Sequence, residues 1–144
     1  MSGGPSQPSS PARLRATATA NRDDDKAHEM TETKPFLVYL AGPLSHPDVL
    51  HQERNVERAM AVAYDVMLAG HQPIVPHLGH YLDRYWHTEM GESVEYETWM
   101  DWALALLERC DCLLYMGSSP GADRELTHAI QRGIPVYGSA GDLP

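Results

Sequence analysis

Cysteine, positive charge and long apolar runs are all scarce in this chain, and each scarcity removes a class of protein. Its 144 residues hold two cysteines, Cys110 and Cys112. They flank Asp111 at the start of an expected strand and are expected to point to opposite faces. That leaves two reduced thiols rather than a disulfide, which suits a cytoplasmic protein. Eleven Lys and Arg stand against twenty Asp and Glu, a formal net charge of −9. Non-specific nucleic-acid binding needs clustered basic side chains, so no nucleic-acid partner is expected. No apolar run approaches the roughly 20 residues of a membrane span, and no charged start leads into an apolar stretch of the secretory kind. No membrane partner is expected either. Gly-x-x-x-x-Gly-Lys is absent and no Gly-x-Gly-x-x-Gly follows the first strand, so the common NTPase and dinucleotide motifs fall away. There are no internal repeats.

Residues 1–34 lack apolar periodicity and hold Ser-Gly-Gly-Pro, Pro-Ser-Ser-Pro and Asp23-Asp24-Asp25. They read as a disordered tail, and Met30, just ahead of the first regular segment, is a candidate translation start. Residues 35–144 read as a single α/β domain. Phe36 to Ala41 is a short apolar run ending at Gly42-Pro43, the mark of a buried strand. A helix is expected from about Gln52 to Ala69, with Val56, Met60, Ala63 and Met67 at helical spacing and Gly70 as its stop. Gln72 to Pro76 is a second strand, and Leu78 to Met90, rich in His and Tyr, is partly helical. A helix over Val94 to Arg109, a strand over Cys112 to Met116, a helix over Pro120 to Arg132 and a last strand over Ile134 to Tyr137 complete the pattern. Strands alternating with helices predict a doubly wound parallel sheet of four to five strands with helices on both faces.

In such folds ligands bind beyond the carboxyl ends of the strands, where strand order reverses. Three strand ends carry polar or tight-turn residues: Gly42-Pro43-Leu44-Ser45, Pro76-His77 and Gly117-Ser118-Ser119-Pro120. They should lie together. Ser119 is a good helix N-cap and Pro120 a good first helical residue, and free N–H groups there suit an anion. Glu125 falls in the second turn beside Ala122 and Ala129, with Leu126 and Ile130 marking the buried side next to it. A half-dry carboxylate among alanines has a raised pKa and room for a ligand. The alternative is a surface glutamate favoured by the helix dipole. Tyr39 is placed to orient that carboxylate, or else is an ordinary core aromatic. Asp101, one turn after Glu97, either faces Glu125 across a pocket as the second acid of glycoside chemistry or lies on a solvated face. Ser45 and Ser119 can hold phosphate oxygens, and His77 can touch ligand. His77, His80 and His87 raise a metal reading, but no close acid or Cys completes a usual zinc spacing, so no metal is expected. Tyr81, Tyr85, Trp86, Tyr96, Trp99 and Trp102 can stack on a base, or serve the core or subunit contacts.

Val38-Tyr39-Leu40-Ala41-Gly42-Pro43, Cys110-Asp111-Cys112-Leu113-Leu114, Ser119-Pro120-Gly121-Ala122-Asp123-Arg124-Glu125, Ala129 and Gly133-Ile134-Pro135-Val136 together resemble the nucleoside 2-deoxyribosyltransferase superfamily. Within it the chain looks most like a branch of small bacterial proteins known only as a domain of unknown function, DUF4406. Relatives of that branch include deoxynucleoside 5′-monophosphate N-glycosidases. The resemblance implies a flavodoxin-like fold, a homodimer or larger homo-oligomer, a small-molecule nucleoside or nucleotide substrate, and no cofactor. It implies that Glu125 attacks C1′ of the sugar, that Tyr39 positions Glu125, and that Ser119 binds the 5′-phosphate; Gly42, Pro43, Ser45, His77 and Gly121, at the converging strand ends, are expected around the substrate. The family's aspartate for the leaving base falls at Ala103: either the helix is locally shifted, or Asp101 or Glu97 substitutes, or the base is protonated differently, and Asp101 is the residue expected to do it. An arginine of the nucleotide hydrolases falls at Ser45. The expected activity is cleavage or transfer at the base–sugar bond. The alternative is a nucleotide sensor without turnover, which Ala103 favours.

Overall fold

The structure, a computed structural model, describes residues 34–144. The expected tail and Met30 lie outside the described residues, apart from Lys34. The order of elements is β1 (Leu37–Ala41), α1 (Val49–Leu68), β2 (Gln72–Ile74), a 3₁₀ turn (Pro76–Leu78), α2 (Gly79–Tyr85), a π-helical turn (Trp86–Met90), α3 (Tyr96–Leu107), β3 (Cys112–Tyr115), α4 (Pro120–Gln131), β4 (Val136–Tyr137) and a closing 3₁₀ turn (Ala140–Asp142). The four strands run parallel in the order β2-β1-β3-β4. The chain therefore winds outward from β1 in both directions, and strand order reverses between β1 and β3. This is the flavodoxin- or Rossmann-like α/β arrangement expected of the pattern.

The pleat of β1 explains how both faces are covered. Val38, Tyr39, Leu40 and Ala41 are all fully buried, and alternate residues enter different cores. Tyr39, Ala41 and Leu113 pack with Ala103 and Leu107 of α3 and Ala122 and Ala129 of α4. Val38, Leu40, Cys112 and Leu114 pack against Val66 of α1, with Val62 and Ala63 alongside. Register is pinned at the sheet's base. The Leu37 N–H donates to Asp111 Oδ2 (2.7 Å), and the Asp111 N–H donates to Leu37 O (2.8 Å).

Three local expectations are corrected. α1 begins at Val49, where the Asp48 side chain accepts from the Leu50 N–H. Its buried residues are Val56, Ala59 and Val66, so Met60 and Met67, 39% and 47% exposed, sit one residue, about 100°, off the buried stripe. On α4 the buried stripe is Ala122, Glu125 and Ala129, whereas Ile130 is 65% exposed. Five residues past Glu125 is 500° of turn, which carries Ile130 about 140° round the helix. The two thiols are free and do enter opposite cores. They do so because Cys110 lies in the turn before β3; two residues apart within one strand would share a face. Burial pushes both thiols up to about 11, so neither is a reactive nucleophile.

At Gly42 the end of β1 comes so close to the end of β3 that a side chain there would place its Cβ 2.9 Å from Met116 Cβ. Met116 Cβ is fixed to the backbone and cannot swing aside. Gly42→Ala is expected to destabilise the domain by about 1–3 kcal/mol, read as a lower urea midpoint. An unchanged midpoint would show that the two strand ends part freely.

Candidate active site

The three strand ends converge as expected. A cavity of about 410 Å³ is lined by Gly42 and Ser45 after β1, Pro76 and His77 after β2, and Ser119, Gly121 and Glu125 after β3. It lies at the edge where strand order reverses, the position at which open parallel sheets bind ligands.

Glu125 is 7% exposed, and Tyr39, beneath it on β1, is fully buried. The Tyr39 hydroxyl donates to Glu125 Oε2. Burial penalises the carboxylate and pushes Glu125 up to about 7, while the hydrogen bond from Tyr39 works in the opposite direction. Tyr39 is itself raised far above the ordinary phenol, by burial first and then by the facing carboxylate. It remains a neutral donor at any relevant pH. The neighbours of Glu125 on its buried stripe are alanines, so the space above the carboxyl stays open. A buried glutamate poised near neutrality against a fixed hydroxyl is suited to act as a nucleophile or a proton carrier.

His77 is buried, with its Nε2 3.1 Å from Gly42 O. The carbonyl can only accept, so the ring's proton sits on Nε2. Burial lowers the pKa of His77 and keeps it neutral, and the ring ties the end of β2 to the end of β1. Ser119 caps α4, its Oγ accepting from the Ala122 N–H (3.1 Å), and its carbonyl accepts from the Asp123 N–H (2.8 Å). Pro120 has no N–H. Gly121 therefore supplies the N–H of the first turn that is left for a ligand among the described residues. The loop ahead of α4 is braced by Asp123, which accepts from the Tyr115 and Ser118 hydroxyls at 2.7 and 2.8 Å. Those two hydrogen bonds hold Asp123 below the usual carboxylate range.

The other wall of the cavity is aromatic. Tyr96, Trp99 and Trp102 line it, and Met100 and Ala103 lie with them. Trp99 stacks on Trp86 (5.5 Å between centroids) and meets Trp102 edge-on (5.4 Å). Tyr81 and Tyr85 are exposed and do not line it. Gln52, His80 and Asp83 also line the cavity; sequence reasoning missed Gln52 and Asp83 as site residues and weighed His80 only as a metal ligand. Gln52 Nε2 and His80 Nδ1 lie 2.9 Å apart, and His80 and Asp83 share a face of α2 at a spacing of three. That spacing was the available signal, but it lay in the segment whose periodicity was hardest to read.

The remaining expected site residues fall elsewhere. Pro43 does not line the cavity; it packs near Gly117, where a Cβ would meet its ring at 3.7 Å. Asp101 is exposed and outside the cavity, because Ala103 takes the inward position on α3 and two residues back is about 200° round the helix. Glu97 is held at the surface by Arg124, in two hydrogen bonds of 2.8 and 3.0 Å. Among the described residues no three His, Cys, Asp or Glu side chains gather as metal ligands do, and no helix is long and apolar enough to cross a membrane. No curated protein matches the chain. A family model described as a domain of unknown function, DUF7768, matches residues 36–138, the whole span from the lead-in of β1 to just past β4, and the chain belongs to that family.

Proposed function

We propose that the protein cleaves the N-glycosidic bond of a (deoxy)nucleoside or its 5′-monophosphate, by hydrolysis or by transfer to a second base, with Glu125 as nucleophile. The observation that carries this reading is the buried Tyr39–Glu125 pair at the floor of a cavity with aromatic walls. A glutamate that attacks C1′ must be ionised yet poorly solvated, and must be held still; burial against a neutral hydroxyl supplies these conditions. Trp99 and Trp102 offer faces for a planar base. Ser45, Ser119 and the Gly121 N–H offer donors for a 5′-phosphate, and they favour a nucleotide over a free nucleoside. The kinship to nucleoside 2-deoxyribosyltransferases belongs to this proposal, as do a cytoplasmic setting and a homo-oligomer. Exposed Leu82, Tyr85 and Met90 on α2 and the π turn are apolar surface suited to a second copy.

The test is a screen of nucleosides and their monophosphates for release of free base, with the Glu125→Gln protein as control. Release by wild type alone supports the reading. A nucleotide that raises the melting temperature without any release would instead support a sensor, the reading that Ala103 in the cavity wall favours.

Tyr39→Phe gives a second, graded outcome. Attack needs the Glu125 carboxylate, so turnover of wild type at low substrate should carry a limb that rises with pH through about 7. Removing the hydroxyl deletes the interaction that lowers Glu125, so the rising limb should move to higher pH. Loss of positioning should also cut the maximum by roughly 10²-fold. A Tyr39→Phe profile with the wild-type midpoint would show that the hydroxyl does not hold the carboxylate.

A further inference from the structure

The reaction proposed above, on which this inference rests, needs a second acid, because a nucleobase is a poor leaving group as an anion. The structure denies that place to the residues the sequence favoured. Ala103 puts a methyl in the cavity wall, Asp101 is outside it, and Glu97 is bound to Arg124 at the surface. The acids that line the cavity are Glu125 and Asp83. Asp83 sits on α2 and is half-buried. Its carboxylate makes no hydrogen bond or ion pair with another described residue. The adjacent cation, Arg84, reaches Glu53 instead (3.7 Å) and lies over the Tyr81 ring (5.3 Å). His80, one turn back, lines the same cavity, with Gln52 Nε2 2.9 Å from its Nδ1. Among the described residues no partner accounts for this carboxyl on the lining of an aromatic slot.

We propose that Asp83 is the catalytic acid that serves the departing base. Glu125 forms a bond to C1′ as the bond from C1′ to the base nitrogen breaks, and that electron pair stays with the base. The Asp83 carboxyl gives its proton to the base, which leaves neutral, and the sugar remains as an ester of Glu125. A water then adds its oxygen to C1′, Asp83 takes the proton from that water, and Glu125 departs as carboxylate. The sum is hydrolysis, with nothing oxidised or reduced.

The experiment compares wild type, Asp83→Asn, Asp101→Asn and Glu125→Gln on 2′-deoxyguanosine and 2′-deoxyuridine 5′-monophosphates. Each substrate is paired with an activated counterpart, the N7-methylated guanine nucleotide and the 5-nitrouracil nucleotide, whose bases leave without a donated proton. Read as kcat/KM for base release, which covers only the steps up to departure of the base, Asp83→Asn should lose about 10²-fold or more on the natural nucleotide and stay within a few-fold of wild type on its activated partner. That contrast is one that a merely misfolded variant would not show. Equal loss of kcat/KM on both members of a pair, or on neither, overturns the assignment, and so does a selective loss that appears in Asp101→Asn instead. If wild type cleaves none of the four, or Glu125→Gln cleaves as fast as wild type, the parent reading fails and Asp83 falls with it. An inert Glu125→Gln beside a fully active Asp83→Asn removes Asp83 alone.

Discussion

Glu125→Gln is expected to abolish base release, by on the order of 10⁴-fold or more, and to abolish covalent labelling with it. Glutamine keeps the shape of the side chain, keeps an oxygen to accept from Tyr39 and keeps the alanines around it in place. What it lacks is the anion that can form an ester with C1′. A 2′-fluoro nucleotide slows formation and breakdown of such an ester, and breakdown more tellingly, so wild type should gain the mass of the sugar phosphate on the peptide that carries Glu125. The glutamine variant should gain none. Because the two readouts depend on the same bond, they should disappear together. Undiminished turnover by Glu125→Gln would remove the glutamate from the chemistry altogether.

The same substitution should change how stability depends on pH. The Glu125 carboxyl shifts from the usual 4.5 in the open chain to about 7 in the fold, chiefly through burial. Between those two values the folded protein holds a proton that the unfolded chain has lost. By linkage, stability then falls as pH rises through that window and is fully reduced above about 7. The shift corresponds to about 3 kcal/mol at most. Glu125→Gln removes this contribution. Relative to wild type, the variant should gain stability steadily from pH 4.5 to about 7 and hold that advantage at pH 8.5. Urea midpoints at pH 5 and pH 8.5 measure it. Parallel curves for the two proteins would mean that the carboxyl is as well solvated in the fold as outside it.

The centre of the sheet was legible in the sequence because β1 and β3 are buried on both faces and so read as continuous apolar runs. β1 and β3 are found within a residue or two of their expected bounds. Loop chemistry placed the start of α4, since Ser119 and Pro120 are strong helix-start signals. The convergence of three strand ends followed from topology alone. What was not legible lies on surfaces where periodicity is weak. α2 has seven residues, less than two full turns, and runs into a π-helical turn that breaks the 3.6-residue spacing, so the inward face of Asp83 and His80 left no clear pattern. On α3 the sequence offers acids at Glu97 and Asp101, but the residue that faces the sheet is fixed by packing against Leu107 and Leu113, and that packing chose Ala103.

Tyr39 hangs from a strand with a neighbour on each side, and Glu125 from a helix that rests on the same layer, whereas the aromatic wall opposite hangs from the first two turns of α3. The proposed nucleophile with the hydroxyl that holds it, and the aromatic surface offered to a base, are thus built on separate pieces of chain. Under the proposed reaction, substitutions at Tyr96, Trp99 and Trp102 would change which base is read and leave the Tyr39–Glu125 pair where it is.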